Sequence, residues 1–427
     1  LGEKLGERDV ARQQTERVFE GKPETLGASA IRAKHSRLIL NLLWRERELS
    51  RAELARRTSL SPSTVSAIIS DLLTTGLVSE ARTGASNGGR RPIMLEFQDQ
   101  SSFIVGIELG ATHVSCVATD LRARIRASWS APAPVREDPE TTLKKVSMAV
   151  RSVLEAADIE PSRVLGIGVA LPSPVNQDRP GEMLPLVVPK WEGYNIANYL
   201  EETFGSPVFV DNDANLGALA ELWWGAGTGE ADLTFIKVAT GIGAGLIIDG
   251  QIFRGSRGIA GEIGHTSIDV NGPPCVCGLN GCLTTFIGTP AVLERAREIL
   301  QEAGTNQPAP TSIDQVVDAA LGGEPWAVDL VHYVGGKLGI GIANMLNLLN
   351  PKAVVIGGGI SRADSLLIGA VQDALRDLSL SASISDTHVR TTSLHEWGIA
   401  LGGATLALEA ALQNPSLFPA QAIGAAQ

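Results

Sequence analysis

Four residues within a short stretch are able to hold a metal ion. His265 is followed by Cys275, Cys277 and Cys282, the last three in the run Cys275-Val276-Cys277-Gly278-Leu279-Asn280-Gly281-Cys282. Three thiolates and one imidazole on a Gly/Pro-rich loop complete the tetrahedral set that zinc prefers. Four protein ligands leave no open position for a reacting water, so the expected ion is a structural zinc. A second group of chemical residues follows an apolar run: Val208-Phe209-Val210-Asp211-Asn212-Asp213-Ala214-Asn215. Asn212 and Asp213 can bind two adjacent hydroxyls, and Asp213 can serve as a general base on one of them. The alternative is an Asx-rich N-cap opening a helix over Leu216–Trp223. Glu262, three residues before His265, offers a further acceptor beside the cysteine loop.

The elements that must position these groups are strands with glycine turns. Phe103–Leu109 reads as a buried strand, Gly110-Ala111-Thr112 as a turn and Val114–Ala118 as the returning strand. About 130 residues later the pattern recurs as Leu233–Ala239, Thr240-Gly241-Ile242-Gly243 and Ala244–Ile248. These are strand–turn–strand units rather than the strand–turn–helix of a dinucleotide or P-loop site. Their repetition implies an internal duplication with a cleft between two lobes. A third cluster, Gly357-Gly358-Gly359, follows the strand Ala353–Ile356. The residues Gly110, Thr112, Thr240, Gly241, Gly243 and Gly358 therefore form a nucleotide-type set of turns. Cys116 falls mid-strand and is expected to act as a small buried hydrophobe. Pro325 onward to Asn350-Pro351 reads as long helical structure, and Trp397–Leu412 as a small-residue helix returning beside the hinge.

The region from Ile31 to Phe97 has a different character. Ala33–Glu46 carries an apolar helical stripe. Ser50 caps a short helix, Arg51–Arg57, with Glu53 three residues on as in a capping box. After the turn Thr58-Ser59-Leu60, Ser61 is an N-cap with Pro62 at the first helical position. That third helix buries Val65, Ile68, Ile69, Leu72 and Leu73 and stops at Gly76. Helix, short helix, tight turn and helix is the spacing of a helix-turn-helix. Ser61, Ser63 and Thr64 place short hydroxyls at the helix N-terminus, where phosphate is attracted. Strands over Leu77–Glu80 and Ile93–Phe97 flank a loop from Thr83 to Pro92, whose Arg90 and Arg91 suit insertion into a minor groove.

The 427 residues suit two to three domains; 44% hydrophobic against 19% charged content allows large cores. Aromatic residues make up only 4% while glycine numbers 46, the balance of an α/β protein with many tight turns. The net charge of −11 is unevenly spread. Residues 31–97 hold eleven Lys and Arg against six Asp and Glu, whereas residues 98–427 hold 20 against 35. A basic module on an acidic body is the electrostatic footprint of a DNA-binding head on an effector-binding body. No apolar run is long enough to span a membrane, and crowded cysteines do not form a disulfide framework. The expected setting is cytoplasmic.

Taken together, these motifs resemble the ROK family (repressor, open reading frame, kinase), over about residues 31–413. The most specific pieces are Ala239-Thr240-Gly241-Ile242-Gly243-Ala244-Gly245, Gly261-Glu262-Ile263-Gly264-His265, the cysteine loop and Asn212-Asp213-Ala214-Asn215. The resemblance implies a winged helix-turn-helix head followed by a two-lobed α/β body of the actin/hexokinase type. It divides the chain into a tail (1–30), the head (31–97), the sugar-binding body (98–413) and a second tail (414–427). It further implies that Asn212, Asp213, Glu262 and His265 contact a sugar, with His265 also on zinc, and that Asp213 is the catalytic base in the kinases. Two departures bear on activity. The family's kinases carry Asp-x-Gly-Gly-Thr-Lys at the first turn, where this chain has Glu108-Leu109-Gly110-Ala111-Thr112-His113. The sugar-binding Glu that usually follows the third cysteine by two positions is Thr284. The expectation is a sugar-responsive repressor that binds a double-stranded DNA operator as a homodimer or homotetramer. The alternative is an ATP- and Mg-dependent sugar kinase with a DNA-binding head.

Overall fold

A computed structural model describes residues 28–83, 92–185, 187–305, 307–380 and 386–418. The chain divides into two compact units, one made of residues 1–98 with 412–427 and the other of residues 99–411.

The smaller unit begins with α1 (Ala28–Glu46), which starts earlier than its apolar stripe alone implied. After Arg47, in the left-handed region at φ 68°, comes a short strand that the sequence reading missed, β1 (Glu48–Ser50). Next are α2 (Arg51–Thr58) and α3 (Pro62–Thr74). Both start signals work as their residue types dictate. The Ser50 hydroxyl accepts from the Glu53 amide, and the Ser61 hydroxyl accepts from the Thr64 amide. The strands β2 (Val78–Thr83) and β3 (Ile93–Phe97) pair antiparallel, and β1 adds to the other side of β3. Ile39, Leu40, Leu43, Leu54, Val65, Ile68, Ile69, Leu77 and Leu95 are buried together beneath this winged helix-turn-helix. Residues from Leu412 on complete it: the Asn41 side-chain amide donates to the Leu412 carbonyl at 3.3 Å, and Phe418 is buried.

The larger unit holds two five-stranded sheets of one design. The first contains β4 (Phe103–Leu109), β5 (His113–Asp120), β6 (Ile125–Pro132), β7 (Val164–Leu171) and β8 (Val208–Asn212), ordered β6-β5-β4-β7-β8. The second contains β9 (Leu233–Val238), β10 (Ile242–Ile248), β11 (Gln251–Ile252), β12 (Ala353–Gly357) and β13 (His388–Thr391), ordered β11-β10-β9-β12-β13. In each, an antiparallel meander supplies one half and two parallel strands the other. Every residue of β4 is buried, as expected for a strand covered on both faces.

Helices α4 (Pro139–Ala156) and α5 (Ile196–Phe204) contribute to the first lobe's core. The second lobe packs α7 (Leu283–Ile287), α8 (Thr289–Glu302), α9 (Ile313–Leu321), α10 (Pro325–Leu349) and α11 (Ser365–Leu378). Two further helices, α6 (Asp213–Trp224) and α12 (Gly398–Gln413), run against sheet backbones. A methyl group at Gly168 of β7 would lie 1.7 Å from the Gly403 carbonyl oxygen of α12. At Gly245 of β10 it would lie 2.1 Å from the Ala214 carbonyl oxygen of α6. Only glycine permits such contact of backbone on backbone, and the same device serves each sheet. Among the described residues, no helix is long and apolar enough to cross a membrane.

Candidate functional site

Asp213 is the first residue of α6, directly after β8, and the α6 N-cap is Asn212. The Asn212 side-chain oxygen accepts from the amides of Ala214 (2.9 Å) and Asn215 (3.3 Å), while its Nδ2 donates to the Ser173 carbonyl at 3.3 Å. The capping alternative thus describes Asn212, which retains one amide N–H for any ligand. Beneath it, buried Asp211 accepts from the Asn212 amide, from Asn215 Nδ2 at 2.9 Å and from Arg254 Nε at 2.8 Å. Neither Asp211 nor Arg254 was singled out from the sequence.

The larger omission is Lys237. It lies on β9, and its ammonium sits 2.8 Å from Asp213 Oδ2 and 3.0 Å from Glu108 Oε1. Glu108 comes just before the end of β4, so a lysine of the second sheet is held by two carboxylates at strand ends of the first. All three side chains are nearly enclosed, with exposures of 12%, 13% and 5% for Lys237, Asp213 and Glu108. Burial alone pushes the Glu108 carboxyl up, but the Lys237 charge and the His113 ring, 3.9 Å away, outweigh it and bring it down to about 2. Burial likewise disfavours the charged Lys237, yet Asp213 and Glu108 together hold it above its ordinary value. One signal was available in the sequence: a lone lysine inside an apolar strand is rarely buried unless it is paired.

The two hairpin turns differ. Gly110 is covered by His113, whose ring occupies the space a side chain would need at 2.2 Å, and the Gly110 amide donates to the His113 carbonyl at 2.9 Å. Thr112 is exposed at the tip. A methyl group at Gly241 would meet nothing within 4 Å, and one at Gly243 would lie 3.5 Å from the Ala214 methyl. Thr240 is half-buried beside α8, where its carbonyl faces Gly288. Gly358, at φ 94°, presses against the Val238 carbonyl, so its role is to let β12 and β9 approach.

Glu262 precedes a single helical turn, Ile263–His265. Burial first, and then the Asp213 charge, push its carboxyl above the usual range. Its Oε2 lies 4.0 Å from His265 Nε2, while His265 Nδ1 lies 3.5 Å from Cys275 Sγ. Cys277 and Cys282 are 3.6 Å apart at sulfur, and all four ligand atoms fall within 4.8 Å of one another. Tetrahedral zinc with Zn–S near 2.3 Å needs sulfurs about 3.8 Å apart, so the set fits that ion with modest adjustment. A structural ion bound there would fix the His265 ring and, through it, the side facing Glu262. Burial and the neighbouring thiols push Cys282 up to about 12, whereas the Leu279 amide and the other thiols lower Cys277. Thr284 lies in the first turn of α7, close to Gly288. Glu262 and His265 thus connect to the cysteine loop through the Cys275 contact.

In the head, the Ser61 hydroxyl also contacts the hydroxyls of Ser63 (2.9 Å) and Thr64 (2.8 Å), which commits it to the cap. Ser63 is exposed on α3, and Thr64 is partly so. An open groove of about 660 Å³ sets both beside Arg32 and His35 of α1. Arg90 and Arg91 lie outside the described residues.

Known proteins share this arrangement. Residues 104–410 match the ROK family and residues 32–79 match a winged helix-turn-helix DNA-binding family. A xylose repressor of Caldicellulosiruptor bescii is 29% identical over 384 residues, spanning 88% of this chain and 96% of its own. The DNA-binding transcriptional dual regulator NagC of Escherichia coli is 30% identical over 365 residues, spanning 85% and 89%. Among solved structures, a ROK family transcriptional regulator, a homolog of the E. coli MLC protein, superposes with a TM-score of 0.76. It is 26% identical and covers 90% of this chain and 97% of its own. With the ROK family model matching residues 104–410, well over half of its length, the chain belongs to the ROK family.

Proposed function

We propose that the chain is a sugar-responsive transcriptional repressor in the cytoplasm, acting on genes of carbohydrate uptake or catabolism. The carrying observation is the intact winged helix-turn-helix, with its capped and exposed α3, on a body whose cleft presents Asp213 and Glu262 as hydroxyl acceptors. The xylose repressor and NagC relatives support this reading over a kinase. In it, α3 enters the major groove with Ser63 and Thr64 at its N-terminus, while Arg90 and Arg91 of the wing reach the adjacent minor groove. Helix-turn-helix heads read half-sites about one turn apart, so the working unit is a homodimer or a dimer of dimers on a palindromic operator. A sugar in the cleft releases DNA only by favouring one of two states of the assembly. Zinc on His265, Cys275, Cys277 and Cys282 is structural in this scheme. An ATP- and Mg-dependent kinase using Asp213 remains the competing reading.

The test is an anisotropy titration of the full chain against its own upstream intergenic DNA. It is repeated with D-xylose, D-glucose, N-acetylglucosamine and the 6-phosphates of the two hexoses. Specific binding released by one of them is the expected result. Absence of specific binding at modest salt by metal-replete protein, with ATP turnover on the same sugars, would overturn it.

A further inference from the structure

We propose that Lys237 is a latch between the two lobes of the body, and that a sugar hydroxyl competes with it for Asp213 when an effector enters the cleft. The second clause rests on the effector reading above; the first does not. Lys237 is out of place in its own sheet, where its neighbours Ile236 and Val238 are buried hydrophobes. One acceptor, Glu108 near the end of β4, comes from the other sheet; the second, Asp213, opens α6, which follows β8 of that sheet and whose next residue, Ala214, packs on β10 beside Lys237's own strand. A buried ammonium is sustained only while its partners remain in reach. Opening the lobes withdraws it from Glu108, so that pair ties free energy directly to the distance between the sheets.

The same geometry puts the latch in the path of a ligand. Asp213 gives Oδ2 to Lys237, while its Oδ1 has no protein donor among the described residues. Asn212 is committed to its cap, so Asp213 is the acceptor on this strand end that is able to exchange partners. A hydroxyl that binds there draws the carboxylate away from the ammonium and leaves Lys237 on Glu108 alone. Lys237 is on this account a positioning residue that couples occupancy of the cleft to the lobe angle.

Hydrogen exchange of the full-length, metal-replete protein tests the latch without sugar or DNA. In Lys237→Met/Glu108→Gln, amides of residues 106–113 and 237–243 should exchange about tenfold faster, while residues 39–72 of the head keep their rates. Lys237→Arg, which keeps the charge, should stay within about threefold of the parent. Unchanged rates at both turns, or an equal rise throughout the chain, would overturn the latch. If the double variant does not fold, Glu108→Gln alone should show about a threefold rise confined to the same turns, and no rise overturns the proposal. Calorimetry with D-xylose, D-glucose, N-acetylglucosamine and the hexose 6-phosphates then tests the exchange step. A sugar that binds the parent should bind the double variant about fivefold tighter, since no ammonium competes for Asp213. Equal or weaker binding overturns that step. If no sugar binds the parent, the effector reading fails, and the exchange rates still decide the latch.

Discussion

Two clusters of the body, Lys237 with its carboxylates and the cysteine loop, gather ligands for a cation in opposite ways. In the cleft, Glu108 and Asp213 are satisfied by an ammonium that the chain supplies from its own β9. In the cysteine loop, three thiols and His265 converge within 4.8 Å, and a matching cation would have to come from outside the chain. A built-in cation can move with its lobe, whereas an imported ion with four ligands stays with the loop it closes. On the proposed reading, switching falls to the cleft and rigidity to the loop.

The largest expected effect tests the rigid side. Cys282→Ser should abolish stoichiometric metal by elemental analysis and lower the melting temperature by about 10 °C or more, since binding free energy is folding free energy in such sites. Retention of full metal content would break the comparison. Next, Lys237→Met leaves two enclosed carboxylates without a partner and should cost about 3–5 kcal/mol in denaturant unfolding. Its metal content should remain that of the parent.

Titration sharpens the contrast further. The Glu108 value of about 2 lies below its ordinary 4.5. Its pairing therefore stabilises the fold fully above about 4.5, and that contribution is lost as pH falls through the window down to about 2. Lys237 is raised above its ordinary 10.5, so its contribution is present below that value and lost only as pH rises past the folded one. Melting curves of the parent should steepen in the acid window, and those of Glu108→Gln should be flatter there. The smallest effect is at the joint: Glu262→Gln should weaken sugar binding by about fivefold, near 1 kcal/mol, with metal content unchanged.

Much of this was legible in the sequence because the determining signals are local. Ser50, Ser61 and Pro62 announce helix starts through their own hydrogen bonds and fixed torsions. The cysteine spacing announces a metal site because its ligands lie close along the chain. The repeated strand–turn–strand pattern announced two matching sheets. Lys237 was hidden because its meaning depends on Glu108 and Asp213, 129 and 24 residues away. Asp211 and Arg254 escaped for the same reason: their pairing exists only once β8 and the loop after β11 are brought together. The β1 strand is three residues long and carries no alternation to read. His113 over Gly110 shows a limit of motif matching, since a glycine in a turn does not establish that the space above it is open.

The closure of the head by residues from Leu412 onward has a consequence in time. During synthesis, residues 28–98 leave the ribosome long before Leu412 and Phe418 do, by tens of seconds at roughly 5–20 residues per second. Until then α1 lacks the carbonyl that Asn41 binds and the side chains that pack beside it. The head is thus begun before the body and completed after it, once the whole of Asp99–Ala411 has been translated. An unfinished chain carries an unfinished head, and operator recognition is deferred until the body that controls it exists.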